Sequence, residues 1–196
     1  MIVGLIRHGI TDWNVAGRIQ GQSDIPLNDE GRAQAQRLAA RLKQEDYKWD
    51  FIITSGLSRA QETGEIIAKV LNIPVYEPDQ RIRERSFGLA EGLTAEERES
   101  KWGKQWDTCD LGQESNVEIQ KRALAFMQDL AHKHPDANIL VVSHGAFLAQ
   151  LYNALYDNRY TERLGNLSLT ILEKQEKEWD LLLYNCTRHL EEAETH

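Results

Sequence analysis

A chain of 196 residues with 31 acidic and 23 basic side chains, a net charge of -8, is long enough for one compact domain with its own core. It is set against non-specific binding to nucleic acid or to an anionic membrane, and its 41% hydrophobic and 28% charged content excludes a disordered or fibrous chain. Two cysteines, Cys109 and Cys186, with no CxxC and no zinc-like His/Cys spacing, imply neither a disulfide framework nor a structural metal. With no secretion signal or membrane anchor in view, a cytoplasmic location is expected.

Residues 2–7 read as a buried first strand, and the Gly, Asn, Asp and Pro content of 9–29 reads as a long loop, which in a compact domain usually has a function. From Asp29 to about Glu45, Gly31, Ala35, Leu38, Ala39 and Leu42 recur at helical spacing, and Phe51-Ile52-Ile53 forms a second strand. Residues 57–71 give another helix, after which Pro74 opens a short strand at Val75-Tyr76. Thr94 with Glu97 and Ser115 with Glu118 match the capping box of a helix start, and behind Ser115 an apolar stripe runs from Ile119 to Leu130. A buried strand at 138–143, a helix at 146–156 and a hairpin of strands 167–173 and 179–184 complete the chain. Strands alternating with helices of a dozen or more residues are what a parallel sheet with crossover connections requires, so the class is α/β in a single domain over 1–196.

Two His-Gly pairs, His8-Gly9 and His144-Gly145, each follow a predicted buried strand, at the edge where open α/β sheets place their sites. Taken alone, a strand-end histidine is more often a hydrogen-bonded structural residue, but the repeated context favours a site. Each following glycine lets backbone approach a ligand, or simply serves a tight turn. Arg7 ends a buried strand, where a charge needs a partner, and Arg59 sits near a helix start. A guanidinium fork and helix-start amides suit phosphate oxygens, although a single arginine such as Arg59 is more often merely solvated. Glu84 lies between Arg83 and Arg85, in an ion-pair ladder or as a general acid. Alternation along an extended segment turns both arginines to the side opposite Glu84.

The runs from Leu5-Ile6-Arg7-His8-Gly9 to Asn14 and from Gln20-Gly21 to Asn28 resemble the histidine phosphatase superfamily, the phosphoglycerate mutase-like family. So do, in order, Ser55 to Thr63, Arg83-Glu84 through Glu91-Gly92, Val142-Ser143-His144-Gly145, and the tail from Asn185 to Leu190, which spreads the resemblance over nearly the whole chain. It implies a three-layer α/β/α fold with a mostly parallel central sheet, no metal and no cofactor, and a reaction through a phosphohistidine. By resemblance His8 is the nucleophile, and Arg7, Arg59, His144 and Gly145 surround the phosphoryl group. Asn14 adds a hydrogen bond, Gln20 and Gly21 belong to the substrate loop, and Glu84 is the proton donor. Ile10 stands where the family commonly has an acidic residue.

The implied partners are a small phosphomonoester and inorganic phosphate, with no nucleic acid and no membrane. A phosphatase is favoured over a phosphoglycerate mutase-type phosphotransferase. Mutases tend to be longer between the acid and the second histidine, an interval of only 60 residues here, and Gln20-Gly21-Gln22 lacks their usual Thr-Gly-Trp. A non-catalytic phospho-ligand-binding or regulatory module is the third reading, against which His8, Arg59, Glu84 and His144 all stand. Residues from about 89 to 114 are expected to face the substrate, with Trp102, Trp106 and Tyr160 as candidate apolar contacts or as core.

Overall fold

In chain order, β1 (Ile2–Arg7), α1 (Asp12–Ala16), α2 (Asp29–Gln44), β2 (Phe51–Thr54), α3 (Ser58–Leu71), α4 (Ala95–Trp102), α5 (Asn116–Lys133), β3 (Asn138–Ser143), α6 (Gly145–Tyr156), β4 (Leu169–Lys174) and β5 (Trp179–Cys186) build the computed structural model, which describes residues 1–191. The last five residues of the domain expected over 1–196 lie outside the described residues. The strands form one five-stranded sheet in the order β2-β3-β1-β4-β5. β2, β3 and β1 pair in parallel, and β4 runs antiparallel to both β1 and β5, so β4 alone opposes the direction of the others.

Side chains alternate across the strands and so divide the core in two. Val3, Leu5, Ile139 and Val141 pack with α5 and α6 through Phe126 and Leu151 on one face. Ile6, Ile52, Leu140 and Val142 pack with α2 and α3 through Leu38 and Ile67 on the other. Helices on both faces of a mixed sheet make the expected three-layer α/β fold. The interior strand β3 is apolar on both faces because neither face meets water.

Both expected capping boxes form: the Thr94 and Ser115 side chains accept from the backbone of Glu97 and Glu118, whose side chains return the bond. Two local expectations change. Val75 makes only an isolated bridge to Ile52, not a strand, because Pro74 and Pro78 bracket the run and neither has an N–H to extend a ladder. The 9–29 segment is not all loop: α1 sits in it, started by a capping box of Thr11 and Asn14. Asparagine in place of the usual Glu or Gln hides that helix start from pattern reading.

Gly4 fixes how closely β1 lies against its neighbours, since a Cβ there would fall 2.7 Å from Leu140 Cδ2 and 2.9 Å from Trp49 Cη2. Gly4→Ala is therefore expected to destabilise the fold by about 1–3 kcal/mol through overpacking. Urea unfolding followed by tryptophan fluorescence checks this, and an unchanged midpoint would contradict the close packing.

Candidate active site

Three neighbouring parallel strands end side by side and each delivers one polar residue just past its end: Ser55 after β2, His144 after β3 and His8 after β1. Parallel pairing sets their level, with Arg7 opposite Ser143 and the His8 N–H donating to the Ser143 carbonyl at 3.0 Å. The two imidazoles consequently sit with ring centroids 5.1 Å apart, both buried.

His8 Nδ1 lies 2.6 Å from its neighbour's carbonyl, Gly9 O. A carbonyl only accepts, so the ring proton is on Nδ1 and Nε2 keeps a lone pair. Burial first, then the charges of Arg59 and Arg7, hold the imidazole well below its ordinary pKa, which keeps that lone pair unprotonated at neutral pH. His144 Nε2 is 2.7 Å from Ser55 Oγ, which also accepts from the Leu57 N–H. When the hydroxyl donates to His144 Nε2, the His144 ring proton sits on Nδ1. Burial, followed by the nearby His8 and the two arginines, keeps His144 neutral as well.

Arg59, in the first turn of α3, is completely buried. Its terminal nitrogens donate to the carbonyls of Ser23 and Gly21, each at 2.6 Å, and burial pulls its pKa down to about 10 against the opposing charges of Glu84 and Asp24. Arg7 donates to the Leu164 carbonyl at 2.7 Å and packs on Gly145, where a Cβ would come within 3.1 Å of its Nε. Arg7 Nε, Arg59 Nε and His144 Nδ1 are buried with no hydrogen-bond partner. These nitrogens, met by no protein acceptor, converge at one sheet edge and suit an acceptor-rich anion, since a buried unpaired N–H costs about 1–3 kcal/mol.

A cavity of about 240 Å³ opens at this edge, lined by Arg7, His8, Asn14, Gln20, Arg59 and Glu84 among others. Gln20 Oε1 accepts from Thr11 Oγ at 2.7 Å, while Asn14 Oδ1 accepts from Thr11 and Asn166, so the amide nitrogen of Asn14 is the end available to a ligand. Gly21, with φ +55°, has no room for a side chain because Glu91 lies where its Cβ would be. Glu91 in turn accepts from the Gln22 N–H and the Ser23 hydroxyl. A larger cavity, about 780 Å³ around Arg41, Glu45 and Leu183, contains none of these residues. Among the described residues no three His, Cys, Asp or Glu side chains cluster as metal ligands, and no helix is long and apolar enough to cross a membrane.

Glu84 reaches the cavity from the opposite wall. Its Oε1 accepts from the Phe147 and Arg85 N–H groups at 2.9 and 2.8 Å, and Oε2 accepts from the Ala146 N–H at 3.1 Å, which ties the carboxylate to the start of α6. Arg83 points to the Ser55 carbonyl and Arg85 to Glu114 O and Asn116, so neither pairs with Glu84, as alternation required. Arg122 from α5 holds this segment: it donates to the carbonyls of Arg81, Arg83 and Glu84, pairs with Glu114, and lies over the Phe147 ring.

All nine residues singled out from the sequence, His8, Glu84, His144, Arg7, Arg59, Asn14, Gln20, Gly21 and Gly145, thus meet at or beside one sheet edge. One detail differs: the Ser58 N–H at the start of α3 is taken by Asp24, at 2.7 Å, so that amide is not offered to a ligand. Trp102, Trp106 and Tyr160 do not line the cavity. Trp106 lies under the Arg98 guanidinium and Tyr160 packs against Tyr156 and Tyr184, while Phe87 is the aromatic residue at the site. Ser55 and Thr63, which accepts from the Gly9 N–H, bound the Ser55 to Thr63 run, but only the fold assigns their partners. Glu91 lies in the Arg83 to Gly92 run, but Arg122 and Asn166 had no local signal at all.

The family model of the histidine phosphatase superfamily (branch 1) matches residues 3–187. The uncharacterized phosphatase PhoE of Bacillus subtilis is 36% identical over 191 residues, covering 96% of each chain. A probable phosphoglycerate mutase, GpmB of Photorhabdus laumondii, is 38% identical over 192 residues, covering 90% of this chain and 86% of its own. A mutant phosphoserine phosphatase from Entamoeba histolytica, solved in complex with phosphoserine, superposes with a TM-score of 0.79 at 30% identity over 96% of this chain and 98% of its own.

Two buried neutral histidines give the fold a pH dependence of fixed sign. Their folded pKa values are depressed, so below the unfolded value of about 6.5 the unfolded chain binds protons that the folded chain refuses. Stability is then expected to fall as pH drops through 6.5, by up to roughly 1.4 kcal/mol per pH unit for each histidine. Urea titrations at pH 7.5 and 5.5 measure the loss, and His8→Asn should reduce it. An equal loss in both proteins would contradict a buried neutral His8.

Proposed function

The chain belongs to the histidine phosphatase superfamily and is a phosphatase, and from that premise we propose that it hydrolyses small phosphomonoesters through a phosphohistidine on His8, with no metal ion. The observation that carries this reading is the His8 Nδ1 to Gly9 O hydrogen bond, which leaves Nε2 unprotonated beside the orphaned donors of Arg7, Arg59 and His144.

In the first step the Nε2 lone pair attacks phosphorus in line and the bond from phosphorus to the leaving oxygen breaks. The departing oxygen takes the proton of the Glu84 carboxyl group, leaving a carboxylate and a phosphorylated imidazole. Oε2 is the suited oxygen, because it holds one backbone hydrogen bond where Oε1 holds two. Gly9 O balances the positive charge that grows on the ring. In the second step water gives a proton to Glu84 and attacks phosphorus, the nitrogen–phosphorus bond breaks, and inorganic phosphate leaves with His8 neutral again. Arg7, Arg59, His144 and Asn14 neutralise and orient the non-bridging oxygens in both steps, which is most of what phosphoryl transfer asks of a protein.

Water as acceptor is favoured by the economy of the chain between Glu84 and His144. α5 and β3 take their places in the core, so only residues 89–114, with the short α4, are left beside the cavity mouth. That segment is tied to the substrate loop through Glu91 and through Arg18, which donates to Gly92 O and Glu97, but none of its residues is among those lining the cavity, so the expected substrate-facing role would be reached only through the loop it holds.

His8→Ala is expected to abolish hydrolysis of phenyl phosphate in EDTA, and rapid quenching of the native enzyme should trap an acid-labile, base-stable phosphoryl group on His8. Glu84→Gln should slow alkyl phosphates by about 10²–10⁴-fold and activated aryl phosphates much less. A loss independent of leaving-group pKa would remove Glu84 from the acid's role, and isomerisation of 3-phosphoglycerate with a bisphosphoglycerate primer and no free phosphate would make the enzyme a mutase.

A further inference from the structure

The run from Asn185 to Leu190 stands outside the residues that line the phosphate cavity, and the mechanism above uses none of it. Within it, His189 is held at both ring nitrogens. A terminal nitrogen of Arg41 lies 3.1 Å from His189 Nδ1, and the Leu167 carbonyl lies 2.8 Å from Nε2. A guanidinium only donates and a carbonyl only accepts, so the lone pair is on Nδ1 and the proton on Nε2 goes to Leu167 O. Burial, partly offset by that hydrogen bond, and then the charge of Arg41 bring the His189 pKa down to about 4, so the ring keeps this one neutral form at neutral pH. Arg41 is itself fixed: it is buried, its Nε donates to Glu45 at 2.7 Å, and the same terminal nitrogen reaches Cys186 Sγ at 3.3 Å.

What the ring holds is Leu167, which is fully buried and in the left-handed region at φ +55°. A residue with a β-carbon stays there only when its surroundings fix it. Here they do so on three sides. The Leu167 N–H donates to the carbonyls of Arg7 and His8, at 2.8 and 3.3 Å, and its own carbonyl accepts from His189. Its side chain lies against Gly9, where a Cβ would fall 3.0 Å from Leu167 Cδ2. The preceding residue, Asn166, also donates to His8 O, at 3.1 Å. This turn therefore meets the backbone of His8 and the residue whose carbonyl takes the His8 ring proton.

We propose that His189, anchored by Arg41, is a positioning residue for the nucleophile: by holding Leu167 in its left-handed turn it sets the His8-Gly9 backbone, and with it the line along which His8 Nε2 meets phosphorus. Once released, Leu167 relaxes toward the commoner backbone regions, and its N–H and side chain leave His8 and Gly9 together. The Arg7 guanidinium is fixed separately, on Leu164 O and against Gly145, so the loss falls on alignment and not on phosphate binding. This rests on the phosphatase reading for the attack by Nε2.

The test compares His189→Asn with His189→Gln. An asparagine amide takes the place of Nδ1 and still receives Arg41 but falls short of Leu167, whereas a glutamine amide takes the place of Nε2 and still donates to Leu167 O. With rates taken per folded molecule from circular dichroism, His189→Asn is expected to lower kcat for phenyl phosphate by about 10–10²-fold, the scale of a small misalignment of reacting atoms, with KM changed less than about twofold. His189→Gln should recover most of that loss. Vanadate, whose five-coordinate form needs Nε2 in line, should bind His189→Asn more weakly by a similar factor while inorganic phosphate binds as before. Ring-nitrogen NMR of His8, assigned with His8→Ala, should show the proton on Nδ1 alone in the native protein and a mixture of tautomers in His189→Asn. An unchanged kcat, equal losses in the two variants, or equal weakening of vanadate and phosphate would overturn the positioning role and leave hydrolysis intact. A native protein that neither hydrolyses phosphate esters nor forms a phosphohistidine would remove the phosphatase reading, and the spectra would then decide: a His8 tautomer that changes in His189→Asn keeps the hold on His8, and one that does not ends it.

Discussion

The burial of positive charge without an ion pair governs this molecule. Arg59 is wholly enclosed and Arg7 half-buried, yet neither pairs with a carboxylate among the described residues; both spend hydrogen bonds on backbone carbonyls, at Gly21, Ser23 and Leu164. Desolvating a guanidinium costs several kcal/mol, of which neutral carbonyls return only part. A structural role would have placed an aspartate nearby, as Arg41 is met by Glu45 at 2.7 Å elsewhere in the fold. The lack of a carboxylate partner is thus a property of the site, and it suits the proposed reaction, in which a phosphoryl group would supply the countercharge in both ground and transition state.

The same deficit explains why both histidines stay neutral. An imidazolium beside two buried guanidiniums would add a third uncompensated charge, so burial and the arginines act together on His8. Burial and the arginines exclude a proton from His8 and the Gly9 carbonyl selects which nitrogen carries the remaining one, as the nucleophilic role proposed for it requires. Glu84 provides the complementary case. Two backbone N–H groups at the start of α6, with that of the adjacent Arg85, hold its carboxylate, so the proton transfer proposed for Oε2 is coupled to a helix end that cannot move without disturbing Phe147 and the Arg122 above it.

The strand-helix alternation made the three-layer architecture legible in the sequence, and the two His-Gly pairs marked the strand ends because buried strands and punctuating glycines are local signals. The register that brings His8 and His144 to one level is not local, since it depends on β1 and β3 pairing across 136 residues, Ile2 against Asn138. Arg122 and Asn166 were invisible for a related reason: a residue that holds another residue's backbone from a distant element leaves no periodic or motif trace. The Val75 run failed as a strand through its flanking prolines, and α1 was missed through an unusual capping partner, both cases of local chemistry overriding composition.

A protein of net charge -8 that binds dianions must reconcile two fields. At physiological ionic strength the screening length is about 8 Å, so the acidic surface acts on an approaching anion weakly and only at short range. Inside the cavity screening is reduced, and guanidiniums outnumber carboxylates among the lining residues. The long-range field therefore disfavours nucleic acids and other polyanions, whose charge extends over the acidic surface, while the short-range field favours an anion small enough to lie wholly within the walls. Selection for small phosphate esters follows from where the charges lie, before any contact with the leaving group is considered.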